Sequence, residues 1–304
     1  MPPAFREEPV AEVRDLTRRF GDKTALAEVS LAVPRGVVYG LVGANGAGKT
    51  TLIRHLLGLL KAQTGAVRVC GRVPVREPVE VLSRVGYLSE EIDLPGWIRV
   101  DELLAYMRAF YPTWDDAYAE DLRQQFELDP SAKLKALSKG QRARAGLIAA
   151  LAYRPELLVL DEPSSGLDPI VRRDILGAIV RTIADEGRTV IFSSHLLDEV
   201  ERVSECVAML KEGRLVFAGP LDDVKARYRR LTVRWEATER PPALAGVLGW
   251  RASGREWTAV ACTSTEELAI RLSAYGAEIL EQRPLSLDEI FLAQSAREAQ
   301  SAEA

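Results

Sequence analysis

The chain has little of what would build a membrane span, a disulfide framework or a nucleic-acid groove. No apolar stretch approaches the roughly 18 residues of a spanning helix. The nearest, Ala145 to Tyr153, is stopped by Arg154. The first residues, Met1 to Glu8, lack the apolar core of a signal peptide, so the chain is expected to stay in the cytoplasm. The cysteines Cys70, Cys206 and Cys262 lie far apart, with neither C-x-x-C nor zinc spacing, which points to reduced core residues. Positive charge is not in excess: 40 Lys and Arg face 44 Asp and Glu, a net charge of −4, which disfavours a broad nucleic-acid surface. Internal repeats and low-complexity linkers are absent.

One motif carries chemistry by itself. Residues 43 to 50 read Gly43-Ala44-Asn45-Gly46-Ala47-Gly48-Lys49-Thr50, the G-x-x-x-x-G-K-[ST] pattern of a phosphate-binding loop. Its glycines let successive backbone N–H groups converge on a phosphate, and the helix that follows directs its positive end at the same anion. Lys49 is suited to the β- and γ-phosphates of a nucleoside triphosphate, and the Thr50 hydroxyl to Mg²⁺. The flanks agree: Val37 to Val42 is a short apolar run expected of a buried strand, while Leu52, Ile53, Leu56 and Leu57 share a helical face. Thr51 extends the same helix start.

At 304 residues the chain has room for one large domain or two smaller ones. Strands are expected at Val10 to Phe20 and Leu26 to Val33, around Val67 to Val69, and at Leu157 to Leu160 and Val190 to Phe192. The pattern turns helical from about 90 to 150, with Leu103, Leu104, Met107 and Phe110 on one face. Strands alternating with helices indicate a parallel sheet covered by helices. A hairpin is expected to turn at Lys211-Glu212-Gly213, and a polar helix to occupy 221 to 230. Beyond lie strands at Leu231 to Glu236 and Trp257 to Cys262, then a helix from Thr265 to Tyr275 with a cap at Ser264 or Thr265 and Glu267. Trp235, Trp250 and Trp257 are expected in the core of that segment. The expected domains are residues 8–222, a small accessory domain at 223–292, and a disordered tail at 293–304.

Four further features narrow the family. Leu137-Ser138-Lys139-Gly140-Gln141 precedes a helix, Leu157 to Leu160 ends in Asp161-Glu162, Ser165-Gly166-Leu167-Asp168 follows, and His195 ends the next strand. In this order they resemble the ATP-binding subunit of a bacterial ABC transporter, across residues 10 to about 220. The resemblance implies an α/β P-loop NTPase of ABC type: a mainly parallel sheet, an N-terminal antiparallel β part, a helical subdomain near 90–150 and a small α+β C-terminal domain. It assigns adenine stacking to Phe20, ATP contacts to Gly43 through Thr51, Mg²⁺ to Thr50 and Asp161, the general base to Glu162 and a γ-phosphate contact to His195. Ser138, Gly140 and Gln141 would face ATP held by a second subunit, a homodimer partner or a related heterodimer partner, with Asp168 at that interface. His55, inside the phosphate-loop helix without a motif around it, reads as structural.

Two positions depart from the family pattern. Lys139 stands where glycine is usual, and is open to two readings, a γ-phosphate contact or a solvent-facing charge. Glu90 stands where a glutamine usually binds Mg²⁺; a carboxylate can ligate the ion but, ionised, cannot donate a hydrogen bond. The resemblance also implies a separate transmembrane permease as partner, docking on the helical region near Trp97, Tyr106, Phe110, Tyr111 and Trp114. Each of these aromatics, taken singly, reads more readily as local core, with Trp97 first in line for the interface. The ending Pro284 to Leu292 is similar to that of drug- and antibiotic-exporter ATPases of the bacitracin-exporter-like group. ATP hydrolysis driving export is therefore expected. A soluble ABC ATPase acting on ribosomes or nucleic acid is the alternative, disfavoured by a single ATPase domain, the absence of an inserted coiled coil and the acidic charge. Arg227-Tyr228-Arg229-Arg230 reads as a solvated face or a contact with anionic lipid.

Overall fold

The computed structural model describes residues 8–91, 93–184, 187–234, 244–254, 256–262, 265–274 and 276–302. Trp235, Ser264 and Tyr275 lie outside them. Contacts divide the chain into a unit ending at Ala218 and a second from Gly219 onward.

In the first unit, β1 (Ala11–Phe20) and β2 (Lys23–Val33) form a hairpin across Gly21-Asp22. Along β2, Val29, Leu31 and Val33 are buried while Ser30 and Ala32 are exposed, the period of a half-buried strand. Strand β3 (Val38–Val42) leads through the phosphate loop into α1 (Lys49–Leu56), and β4 (Thr64–Val69) returns to pair with β1. The antiparallel sheet has the order β2-β1-β4. A short α2 (Pro78–Leu82) precedes β5 (Val85–Leu88). The helical part comprises α3 (Val100–Phe110), α4 (Asp116–Gln125), a 3-10 turn (Leu134–Ala136) and α5 (Lys139–Leu151). Then come β6 (Leu157–Asp161), α6 (Pro169–Ala184), β7 (Thr189–Ser194), α7 (Leu197–Val203), β8 (Cys206–Lys211) and β9 (Arg214–Pro220).

The second sheet runs β5-β6-β7-β3-β8-β9, with β5, β6, β7, β3 and β8 parallel. Every residue of β3, β6 and β7 is buried, as expected of strands covered on both faces. The turn between β8 and β9 takes the expected place, with Glu212 and Gly213 both at positive φ. Its Gly213 carbonyl accepts from the Ala27 amide, and its amide donates to the Ala47 carbonyl, which braces the phosphate loop against the antiparallel sheet.

In the second unit, α8 (Leu221–Ala226) is shorter than expected, because Arg229 already begins β10 (Arg229–Arg234). The unit continues through β11 (Val247–Ser253), β12 (Glu256–Ala261), α9 (Thr265–Ser273), β13 (Glu278–Pro284) and α10 (Leu287–Ala302). The sheet order is β11-β12-β10-β13. Its two edges are the strands the sequence pattern missed. β13 reads Glu-Ile-Leu-Glu-Gln-Arg-Pro and is mostly exposed, so no apolar alternation marks it; a charged edge also discourages pairing with other chains. Leu231, Val233, Trp250, Leu268 and Leu272 form the core, with Trp257 half-buried against it. Helix α10 continues to Ala302 through the segment expected to be a disordered tail. Nor is the arginine run a free basic face: Tyr228 is buried and its hydroxyl accepts from Gln294 at 2.7 Å, Arg229 donates to the Lys225 and Tyr228 carbonyls, and Arg230 pairs with Glu289.

Phe110 also differs from its expected core position on α3. Val100 and Leu103 are the buried residues of that helix, whereas Phe110 is 62% exposed and packs on Tyr106. Ile53 of α1, by contrast, is wholly buried beneath the phosphate loop. Ile53→Ala should cost about 2–5 kcal/mol and Phe110→Ala less than about 0.5 kcal/mol, read from urea unfolding midpoints.

Candidate functional site

The parallel register gathers the reactive residues at the carboxyl ends of β3, β6 and β7. Asp161 ends β6 directly beside Ser193 of β7, and Ser193 Oγ donates to Asp161 Oδ1 at 2.7 Å. Thr50, first in α1 after Lys49, also hydrogen-bonds Asp161. Burial, together with the neighbouring Glu162 and Glu90 carboxylates, raises the Asp161 pKa, while the Ser193 and Thr50 hydroxyls pull it down. A hydroxyl and two carboxylates converging in this way form an all-oxygen donor set that suits Mg²⁺, and a cation would relieve their mutual repulsion.

Glu162 is 6% exposed and has a φ of 49°, in the left-handed region that is strained for a residue with a Cβ. It does not cap a helix. Its amide donates to Ser193 Oγ at 2.9 Å. Its Oε2 lies 2.7 Å from His195 Nδ1 and accepts from the His195 amide at 3.4 Å. Its Oε1 lies 3.0 Å from Lys49 Nζ. Lys49 also donates to the Gly43 carbonyl at 2.6 Å and the Ala44 carbonyl at 3.3 Å. Gly48, just before α1, has a φ of 110°, and a Cβ on it would come 2.7 Å from the Ala25 carbonyl oxygen.

Around these groups lies a cavity of about 320 Å³. Phe20, Asn45, Gly46, Gly48, Lys49, Thr50, Thr51, Glu90 and Glu162 line it, and so do Lys23 and Ala25, which the sequence reading missed. Lys23 carried no motif, but it pairs with Phe20 at the mouth of the β1–β2 hairpin. Phe20 is 45% exposed, with the Arg18 guanidinium 4.5 Å from its ring centroid, so it is not a core aromatic. Gly43, Ala44 and Ala47 belong to the same loop, where the Ala47 amide donates to the Ala44 carbonyl.

Ser138, Gly140, Gln141 and Asp168 are not among the residues lining this cavity. Ser138 caps α5: its hydroxyl accepts from the Gln141 amide at 3.2 Å and its amide donates to Gln141 Oε1 at 2.9 Å. Asp168 caps α6, accepting from the Ile170 and Val171 amides at 3.0 and 3.1 Å. His55 is buried, its Nδ1 lies 2.8 Å from the Thr51 carbonyl, and burial lowers its pKa. Three further polar side chains escaped the sequence reading. Buried Ser164 donates to buried Glu199 at 2.6 Å, and Arg172 pairs with the same carboxylate at 3.0 Å, fixing the turn that carries Glu162. Burial raises the Glu199 pKa, which Ser164 and Arg172 offset.

The chain matches the ABC transporter family over residues 26–165. It is 33% identical to the bacitracin transport ATP-binding protein of Bacillus licheniformis, with 73% of each chain covered. The chain belongs to the ABC transporter ATP-binding family. It is 27% identical to the ABC transporter ATP-binding protein YtrB of Bacillus subtilis over 93% of this chain and 97% of that one. Among solved structures, it superposes on the ATP-binding subunit of an ABC transporter with a TM-score of 0.66 at 29% identity, covering 71% of this chain and 92% of the other. The protein is thus an ABC-type ATPase subunit of a transporter, with the resemblance to antibiotic-exporter subunits extending to named relatives.

In this ABC ATPase the signature glycine has a packing reason beside any ligand role. Gly140 is buried on α5, and a Cβ there would come 2.6 Å from Val171 Cγ2 of α6. Gly140→Ala should therefore destabilise the protein by about 1–3 kcal/mol, and adding Val171→Ala should recover most of that loss in thermal or urea unfolding.

Proposed function

We propose that the protein hydrolyses ATP in a head-to-tail dimer and thereby drives export through a separate transmembrane permease. The observation that carries this reading is that Lys49 and Glu162 face each other in one cavity, with His195 held on the other oxygen of Glu162, while the signature residues of the same chain do not line that cavity. Phe20 stacks on adenine at the open end. The phosphate-loop amides and Lys49 hold the phosphates, whose charge replaces Glu162 as the partner of Lys49. Glu162 then takes a proton from water as its oxygen bonds to the γ-phosphorus and the bond to the β-phosphate oxygen breaks. His195, already on Glu162 Oε2, orients that carboxylate and reaches the γ-phosphate. Thr50, Asp161 and Glu90 are the residues that would hold Mg²⁺, which supplies charge neutralisation on the phosphates. Ser138, Gly140 and Gln141 of a second subunit close the site, with Asp168 beside the interface. Both half-sites are present in the chain, so a homodimer suffices, and a related subunit could also complete it.

The permease reading is supported by a mainly apolar groove of about 410 Å³ just beyond Glu90, lined by Leu59, Leu82, Tyr87, Leu94, Met107 and Tyr111 among others. We take a short helix of the membrane subunit as its occupant, because the groove includes Met107 and Tyr111 of the helical region on which the family resemblance places permease docking. Of the aromatics singled out in the sequence, Tyr111 lines the groove and stacks on Tyr153 at 3.7 Å; Trp97, 76% exposed, does not line it. Export and a place on the cytoplasmic face of the membrane belong to this reading, and the likeness to the bacitracin transport subunit supports them.

Glu162→Gln should retain ATP binding, lower turnover by about 10²-fold or more, and accumulate ATP-bound dimers on size exclusion. Continued turnover in that variant would remove Glu162 as base. An affinity pull-down of the same variant from gently solubilised membranes with ATP and Mg²⁺ should recover a multi-span protein. Recovery of ribosomes or nucleic acid in its place would overturn the permease assignment.

A further inference from the structure

The two positions that depart from the family pattern meet at one residue. Lys139 Nζ donates to the Ser165 carbonyl at 2.7 Å, and Ser165 Oγ donates to Glu90 Oε1 at 3.1 Å. Ser165 lies on the segment joining Glu162 to α6. The lysine also packs over the next residue: a Cβ on Gly166 would come 2.9 Å from Lys139 Nζ. Hydrogen bonding and packing thus both hold the ammonium against its own chain.

We infer that Lys139 is a positioning residue that, through Ser165, fastens the loop at 165–168 to the signature helix and joins both to Glu90. Three anchors then fix this segment. Ser164 is held by Glu199, Asp168 by the first turn of α6, and Ser165 by the two non-consensus residues. The chemistry is particular to this pair. A glycine at 139 has no side-chain donor to offer, whereas an ammonium gives the carbonyl a charge-assisted bond. A carboxylate at 90 accepts strongly from the Ser165 hydroxyl, so Ser165 is held through its side chain as well as through its carbonyl. Lys139 is therefore a tether within the chain, neither a free solvent charge nor a γ-phosphate ligand.

A consequence rests on the ATP-sandwich reading above. Glu90 lines the cavity for the ATP of its own chain, whereas the signature beside Lys139 serves the ATP of the partner. The Glu90–Ser165–Lys139 path is then a mechanical link between the two sites, two hydrogen bonds meeting at Ser165 and made by side chains that this protein has in place of glutamine and glycine.

The test is hydrogen–deuterium exchange on the full chain without nucleotide, following the amides of Ser165 and Leu167, which donate to the Glu162 and Ser164 carbonyls. Lys139→Gly should speed their exchange about fivefold, the loss expected for one hydrogen bond of ordinary net strength. Lys139→Arg, which keeps a donor, should restore most of the protection. Ser165→Ala should cut Glu90 from the path while leaving the lysine-to-carbonyl bond, and so should accelerate exchange less than Lys139→Gly does. Wild-type exchange in Lys139→Gly, or failure of the arginine to restore it, would overturn the proposal. Because these arms use the nucleotide-free chain, they can fail while the dimer reading stands. Failure of the dimer reading would instead appear as a lack of ATP-dependent dimers in Glu162→Gln.

Discussion

The arrangement depends first on one buried carboxylate kept between two basic groups. Glu162, almost wholly enclosed, faces Lys49 through one oxygen and His195 through the other. Taking a carboxylate out of water costs several kcal/mol unless such partners surround it, so this site cannot be assembled piecemeal. Lys49 opens α1 after β3 and the phosphate loop, Glu162 directly follows β6 and His195 directly follows β7. Their meeting requires the order β6-β7-β3 and its parallel register. The left-handed backbone at Glu162 fits this view, since a strained conformation persists where surroundings over-determine it, and here Ser193 and the Ser164–Glu199 pair do so.

Much of this was legible in the sequence because the chemistry imposes local patterns. A phosphate loop needs glycines at set intervals, and fully buried strands need short apolar runs, so β3, β6 and β7 announced themselves. What was not legible lies where the pattern is long-range or ambiguous. Ser193, Ser164 and Glu199 are ordinary residues until β7, the turn after β6 and α7 are brought together. Phe110 shares the period of a core residue, yet it faces out because α3 uses only Val100 and Leu103 for burial. The strands β11 and β13 were hidden by the freedom of sheet edges, and the segment after Leu292 looked like a tail because alanine, glutamine and serine suit an exposed helix as readily as coil.

Several family residues serve two ends at once. Ser138 and Gln141 cap each other, Asp168 caps α6, and Gly140 admits Val171. Each would matter for local folding even without a nucleotide. A loss of activity on replacing one of them therefore cannot be assigned to ligand contact until stability has been measured alongside it, which is why space-restoring second substitutions are informative here.

The β8–β9 turn has a consequence of a different kind. Gly213 bonds the phosphate loop on one side and β2 on the other through its main chain alone. Its positive φ, and a Cβ contact of 2.7 Å with the Ala25 carbonyl oxygen, leave no room for another residue. A saturation scan would thus display a whole mechanical joint as one intolerant position. A map of functional residues drawn from side-chain substitutions would pass over the strut that sets the height of the nucleotide cradle.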